Sequence, residues 1–93
     1  MEIYKFSNFD TMPISFNIEK GGFYIKATLY YLDVTDSLYM TLDFDDVRRV
    51  QNRRIVPYFP VEVEGIKFQL VHQTGAYKDF EYAKKDEFGL TIV

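Results

Sequence analysis

The sequence predicts an all-β fold, a small antiparallel barrel or sandwich of about six or seven strands with at most one short helix. Three features carry that expectation. The chain of 93 residues holds nine Phe and eight Tyr with no Trp, and aromatic side chains suit a pleated, half-buried surface. Apolar and polar residues alternate with a period of two over several runs. Between those runs lie Lys20-Gly21-Gly22, Asp33 to Ser37 and Glu64-Gly65, residue types that turn a chain sharply.

In chain order, Met1 to Phe9 is a candidate edge strand. Ile14, Phe16 and Ile18 alternate with Ser15, Asn17 and Glu19, and Phe23, Ile25, Ala27, Leu29 and Tyr31 alternate with Tyr24, Lys26, Thr28 and Tyr30. With Lys20-Gly21 as a two-residue loop, Ile18 opposes Phe23, Phe16 opposes Ile25 and Ile14 opposes Ala27, so the apolar side chains share one face. Asp33 to Ser37 then breaks the ladder, and Leu38, Met40, Leu42 and Phe44 form a third strand. Parity changes across Glu64-Gly65, which a second tight hairpin explains by pairing Val63 with Ile66, Val61 with Phe68 and Glu62 with Lys67; a bulge at Gly65 is the competing explanation. Pro57 and Pro60 confine the stretch before it to a sheet edge or an extended loop. Tyr77, Phe80 and Ala83/Lys84 have helical spacing, so 76–87 is the place for a short helix. Leu90 to Val93 alternates up to the last residue, a pattern that needs something to cover it.

One domain over 1–93 is expected, because a chain this short buries roughly 60–65% of its unfolded surface in a single core. With no Cys there is neither a disulfide framework nor a Cys-based zinc site. Fourteen acidic against 11 basic residues give a net charge of −3, which argues against general affinity for nucleic acid or anionic membrane. The start Met1-Glu2-Ile3-Tyr4-Lys5 lacks a secretory pattern and no run is long enough to span a membrane, so the expected site of synthesis and residence is the cytoplasm.

Every arginine lies between Val47 and Ile55: Arg48, Arg49, Arg53 and Arg54. Guanidinium forks grip phosphate or carboxylate, but in an acidic chain contact with a neighbouring subunit is the favoured reading, Arg being enriched at interfaces. Outward-facing Tyr24, Tyr30 and Tyr39 beside Lys26 suit the same role; their alternative is a base-stacking platform of the OB type. Asp43 and Asp45 on one side of a strand, with Asp46, Asp33 and Asp36 nearby, match no calcium-loop spacing. His72 is the only histidine, and Ser7, Ser15 and Ser37 lie in no nucleophile motif. No enzyme activity, metal site or cofactor is therefore expected, and Gly21-Gly22 reads as a turn without a phosphate-binding pattern around it.

The order Ser15-Phe16-Asn17-Ile18, a Gly-containing turn, Tyr24 to Tyr31, then Leu38 to Asp43 resembles the small baseplate plug proteins of contractile phage tails. Asp86-Glu87-Phe88-Gly89 matches their acidic residues before a late Gly, and the similarity covers about half of the chain. The resemblance implies a non-enzymatic subunit packed by β-surfaces into a symmetric tail assembly, and so a place in the virion. The expected partners are other protein subunits in a homo-oligomer or symmetric complex. The alternatives are an OB-like module for single-stranded nucleic acid and a small inhibitor or anti-defence protein.

Overall fold

The computed structural model describes residues 2–8 and 12–93. Eight strands form two four-stranded antiparallel sheets. The chain runs β1 (Glu2–Lys5), a 3-10 turn (Phe6–Asn8), β2 (Ile14–Lys20), β3 (Phe23–Leu32), β4 (Ser37–Phe44), β5 (Val47–Ile55), β6 (Val61–Val63), β7 (Ile66–His72), a second 3-10 turn (Tyr82–Glu87) and β8 (Phe88–Ile92). One sheet has the order β2-β3-β4-β5 and the other β1-β8-β7-β6, with no strand pairing between them. The all-β class is as the sequence predicts, and of the two architectures it is the open sandwich, not a closed barrel.

Both inner faces meet in one apolar core. Ile25, Ala27, Leu29, Met40, Leu42 and Phe44 face Phe68, Leu70, Phe88, Leu90 and Ile92, and the Phe44 and Phe68 rings meet edge to face at 6.2 Å across the interior. Tyr4 of β1 stacks on Phe16 of β2 at 4.8 Å, while Arg49 of β5 pairs with Glu64 beside β6. These contacts align the sheets edge for edge.

The first hairpin differs from the expected register. Lys20 pairs with Phe23, Ile18 with Ile25, Phe16 with Ala27 and Ile14 with Leu29, so the two-residue loop is Gly21-Gly22. Their φ angles are +60° and +83°, the left-handed values that a strand-compatible tight turn requires at both central positions. Glycine adopts them without a Cβ clash, whereas Lys20 in the first position would be strained. The slip is by two residues, so the apolar face is preserved. The second hairpin has the expected register, Val61 to Phe68, Glu62 to Lys67 and Val63 to Ile66.

Two further regions depart from expectation. The stretch Val47–Ile55 is a full strand, raising the count to eight, although its side chains are exposed almost throughout. The segment 76–81 is irregular and only Tyr82–Glu87 is helical, in 3-10 form. Phe80 is buried where it plugs the end of the sandwich, at 6.4 Å from Phe6 and 5.3 Å from Phe88, whereas Tyr77 packs outward on Tyr58 at 5.2 Å. A helix would have put both rings on one side. The apolar run at the end of the chain is covered from within: β8 lies between β1 and β7, and all five of its residues are buried.

Candidate interaction face

Alternation along β2–β5 sends one set of side chains to the core and the other to an outer face built in rows. At one end Tyr30 stands opposite Tyr39 and Tyr39 opposite Arg54. The two tyrosine rings stack at 5.4 Å with 16° between their planes. Beside them, Ser15 Oγ lies 3.2 Å from Thr28 Oγ1, and Thr41 donates its hydroxyl to Asn52 Oδ1 while accepting the Asn52 N–H. Asn17, Lys26, Asp43 and Arg48 form the next row. Tyr24, 68% exposed, closes the far end.

The tyrosines are therefore not one platform. Tyr24 lies six residues from Tyr30 along β3, roughly 20 Å at strand rise. Tyr30 and Tyr39 make the only contiguous aromatic pair on this face among the described residues.

The four arginines divide into two kinds. Arg48 forks onto Asp43, with Nε to Oδ1 at 2.8 Å and NH2 to Oδ2 at 3.3 Å. That hydrogen bond holds the Asp43 carboxyl below its ordinary pKa and raises the guanidinium. Arg49 donates to Glu64 Oε1 at 2.6 Å, joining the edge of one sheet to the β6–β7 turn of the other. Arg53 and Arg54 form no ion pair among the described residues and are exposed. Bulges at Thr41 and between Leu42 and Asp43, with Asn52 at φ +50°, let the strand carry these long side chains without burying them.

Asp43 and Asp45 do not share one side of a strand, contrary to what the sequence pattern suggests. Asp43 lies within β4 opposite Arg48, one residue before the ladder ends at Phe44, while Asp45 and Asp46 form the β4–β5 turn at φ +50° and +66°. Asp45 Oδ1 accepts the Tyr24 N–H at 2.9 Å, so this carboxylate anchors a turn. Among the described residues no group of three or more acidic or His side chains is disposed to hold a metal ion, and no helix is long and apolar enough to cross a membrane.

A second polar constellation had no signal in the sequence. His72, buried at the end of β7, donates from Nε2 to Glu87 Oε1 at 3.0 Å. Its Nδ1 accepts the Thr74 N–H at 3.2 Å and lies 2.6 Å from the Thr74 hydroxyl. With Nδ1 turned to the Thr74 N–H, the ring nitrogen that faces the Glu87 carboxylate is Nε2. Thr74 Oγ1 also accepts the Ala76 N–H at 3.3 Å, and the imidazole edge packs on Phe88 at 5.1 Å. These bonds close the 73–76 turn against β8. Hydroxyl, imidazole and carboxylate stand in line, but the hydroxyl is held within its own turn.

The His72 hydrogen bond pulls the Glu87 carboxyl below its ordinary value of 4.5, with Lys84 and Lys78 adding to the effect. A carboxyl depressed in the folded state contributes stability above its unfolded pKa, and that contribution is lost as pH falls through the folded value. Glu87→Gln should therefore melt below wild type at neutral pH, with the gap narrowing below about pH 4.5. Thermal melts of both proteins between neutral and acid pH check this; a gap that stays constant would contradict it.

No protein-family model matches this chain, and no curated protein matches it.

Proposed function

We propose that the protein is a non-enzymatic assembly subunit that binds other protein subunits through the outer face of the β2–β5 sheet. The observation carrying this reading is the row Tyr30, Tyr39 and Arg54: a stacked aromatic pair continued by a guanidinium that no carboxylate of the described residues engages, with the equally unengaged Arg53, opposite Met40, exposed on the other side of the β5 edge. Tyr and Arg bring large contact area and forked hydrogen bonding at modest entropy cost, which is why they dominate the energetics of interfaces. Arg48 and Arg49 play a supporting part, since their charges are spent on Asp43 and Glu64. Tyr24 stands apart at the far end as a peripheral contact.

The resemblance to baseplate plug proteins suggests the kind of assembly, a symmetric phage tail, with the protein made in the cytoplasm and carried in the virion. Strand binding of the OB type is the second reading, supported by the same Tyr pair. Against it stand the net charge of −3 and the open sandwich, since an OB module reads its strand on a curled, partly closed barrel. The two readings part on one substitution, Arg53→Glu with Arg54→Glu. Under the assembly reading the variant stays folded and leaves its complex, and the wild type shows no salt-dependent binding to a fluorescent single-stranded oligonucleotide. Under the strand reading such binding is present and falls steeply as salt rises.

A further inference from the structure

The four sheet edges are not equally protected. β6 has three residues and follows Pro60, and β1 has four. β5 is interrupted by bulges and carries every arginine. These are the devices by which proteins prevent edge-to-edge pairing. β2 is the least protected: although it follows Pro13 and ends on Glu19 and Lys20, it runs seven residues, Ile14–Lys20, in unbroken register with β3, without a bulge and without an interior proline.

The direction of its open hydrogen-bonding groups follows from the turn. In a two-residue hairpin the residues flanking the loop exchange backbone bonds, so Lys20, Ile18, Phe16 and Ile14 bond to β3. The N–H and C=O groups of Ser15, Asn17 and Glu19 point away from the sheet, and no backbone group of the described residues bonds to them. All three residues are exposed.

We infer that β2 pairs with β2 of a second copy in antiparallel, two-fold fashion about Asn17, joining two molecules into one eight-stranded sheet. Self-complementarity selects this occupant. In that register Asn17 meets its own counterpart, amide to amide, and Ser15 meets the second copy's Glu19, a hydroxyl donor against a carboxylate acceptor. Half-buried Phe16 meets Ile18 on the inner side, extending the apolar face across the join. All three outward-pointing residues of each strand find partners, and no like charges stand opposite.

Neighbouring registers are worse. A shift by one bonded pair in one direction sets Lys20 over Phe16; the next sets Glu19 on Glu19, which is repulsive. A shift the other way sets Glu19 against Pro13, which has no N–H to give. The pairing deepens the assembly reading by naming one partner, a second copy, and brings two outer faces side by side. It does not depend on those faces binding anything.

The test is the association state of the purified protein by sedimentation equilibrium, from micromolar to about 1 mM, a range set by the shortness of the paired edge. The wild type should reach a dimer, with the amides of Ser15, Asn17 and Glu19 gaining hydrogen-exchange protection as concentration rises. Asn17→Pro removes an outward N–H that β3 does not use, so it should give a folded monomer. Ser15→Glu, facing Glu19, should weaken the dimer by about tenfold, and Ser15→Lys should tighten it. A wild type that stays monomeric at the highest concentration overturns the inference, as does a dimer that a folded Asn17→Pro or Ser15→Glu leaves unchanged. Should Asn17→Pro fail to fold, the opposite responses of the two Ser15 variants decide it. Failure of this pairing leaves the Tyr30–Tyr39–Arg54 face untouched, because the variants there lie at the other edge of the sheet.

Discussion

Phe68→Ala should lower the free energy of unfolding by about 3–5 kcal/mol. Phe68 is fully buried in β7, stands opposite Ile92 on one side and Val61 on the other, and meets Phe44 of the facing sheet. Removing its ring deletes the transfer free energy of a phenyl group and leaves a cavity between two sheets whose ladders resist collapse onto it. A domain of this size has a total stability of roughly 5–14 kcal/mol, so the variant should be marginal. Urea unfolding at equilibrium reads the difference, and a loss under about 1.5 kcal/mol, the range of a conservative core swap, would show that the core does not close around this ring.

Gly89→Ala should cost about 1–3 kcal/mol, the usual range for forcing atoms into a filled site. A Cβ there would lie 2.6 Å from Ile3 Cγ2 and 3.0 Å from the Tyr4 carbonyl oxygen. Ile3 can rotate aside, but the carbonyl belongs to β1, where Lys5 stands opposite Gly89, so β1 itself must move. The loss should therefore be local. Hydrogen exchange on the variant should quicken first in β1 and β8 and leave the β2–β5 sheet as in the wild type; an unchanged melting temperature would contradict the close approach.

What the sequence revealed, and what it hid, follows from the period of the pattern. Alternation assigns faces without ambiguity, because a slip by one residue would turn Phe68, Leu70 and Met40 to solvent. It cannot see a slip by two. Both Lys20-Gly21 and Gly21-Gly22 satisfy the parity of the first hairpin, and the choice rests on backbone conformation, where only the glycine pair accepts two left-handed residues without strain. At Glu64-Gly65 no second glycine competed, and the register came out as read.

β5 was hidden for a related reason. A bulged edge strand exposed along nearly its whole length has no apolar stripe, so nothing in its residue pattern marks it as a strand. The arginine cluster was visible as composition, yet its division into Arg48 and Arg49, engaged, and Arg53 and Arg54, unengaged, depends on where Asp43 and Glu64 lie in the fold. The His72–Glu87 pair joins residues 15 apart across an irregular connection, and no periodicity reports such a contact. Phe80 misled in the opposite sense: its spacing from Tyr77 fits a helix, but burial against Phe6 and Phe88 sets its position instead.

We propose that the Tyr30–Tyr39–Arg54 end of the outer face holds the protein in a larger assembly. The most direct measurement is gradient sedimentation of the tagged protein in a lysate of the cells that naturally produce it, wild type against Arg53→Glu/Arg54→Glu. Reversal turns attractive contacts into like-charge repulsion at an interface, while the exposed positions leave folding intact. The wild type should sediment in fast fractions, and the variant as the free small protein with an unchanged melting temperature. A wild type found only in the slow fractions, or a folded variant that keeps pace with it in the fast ones, would contradict it.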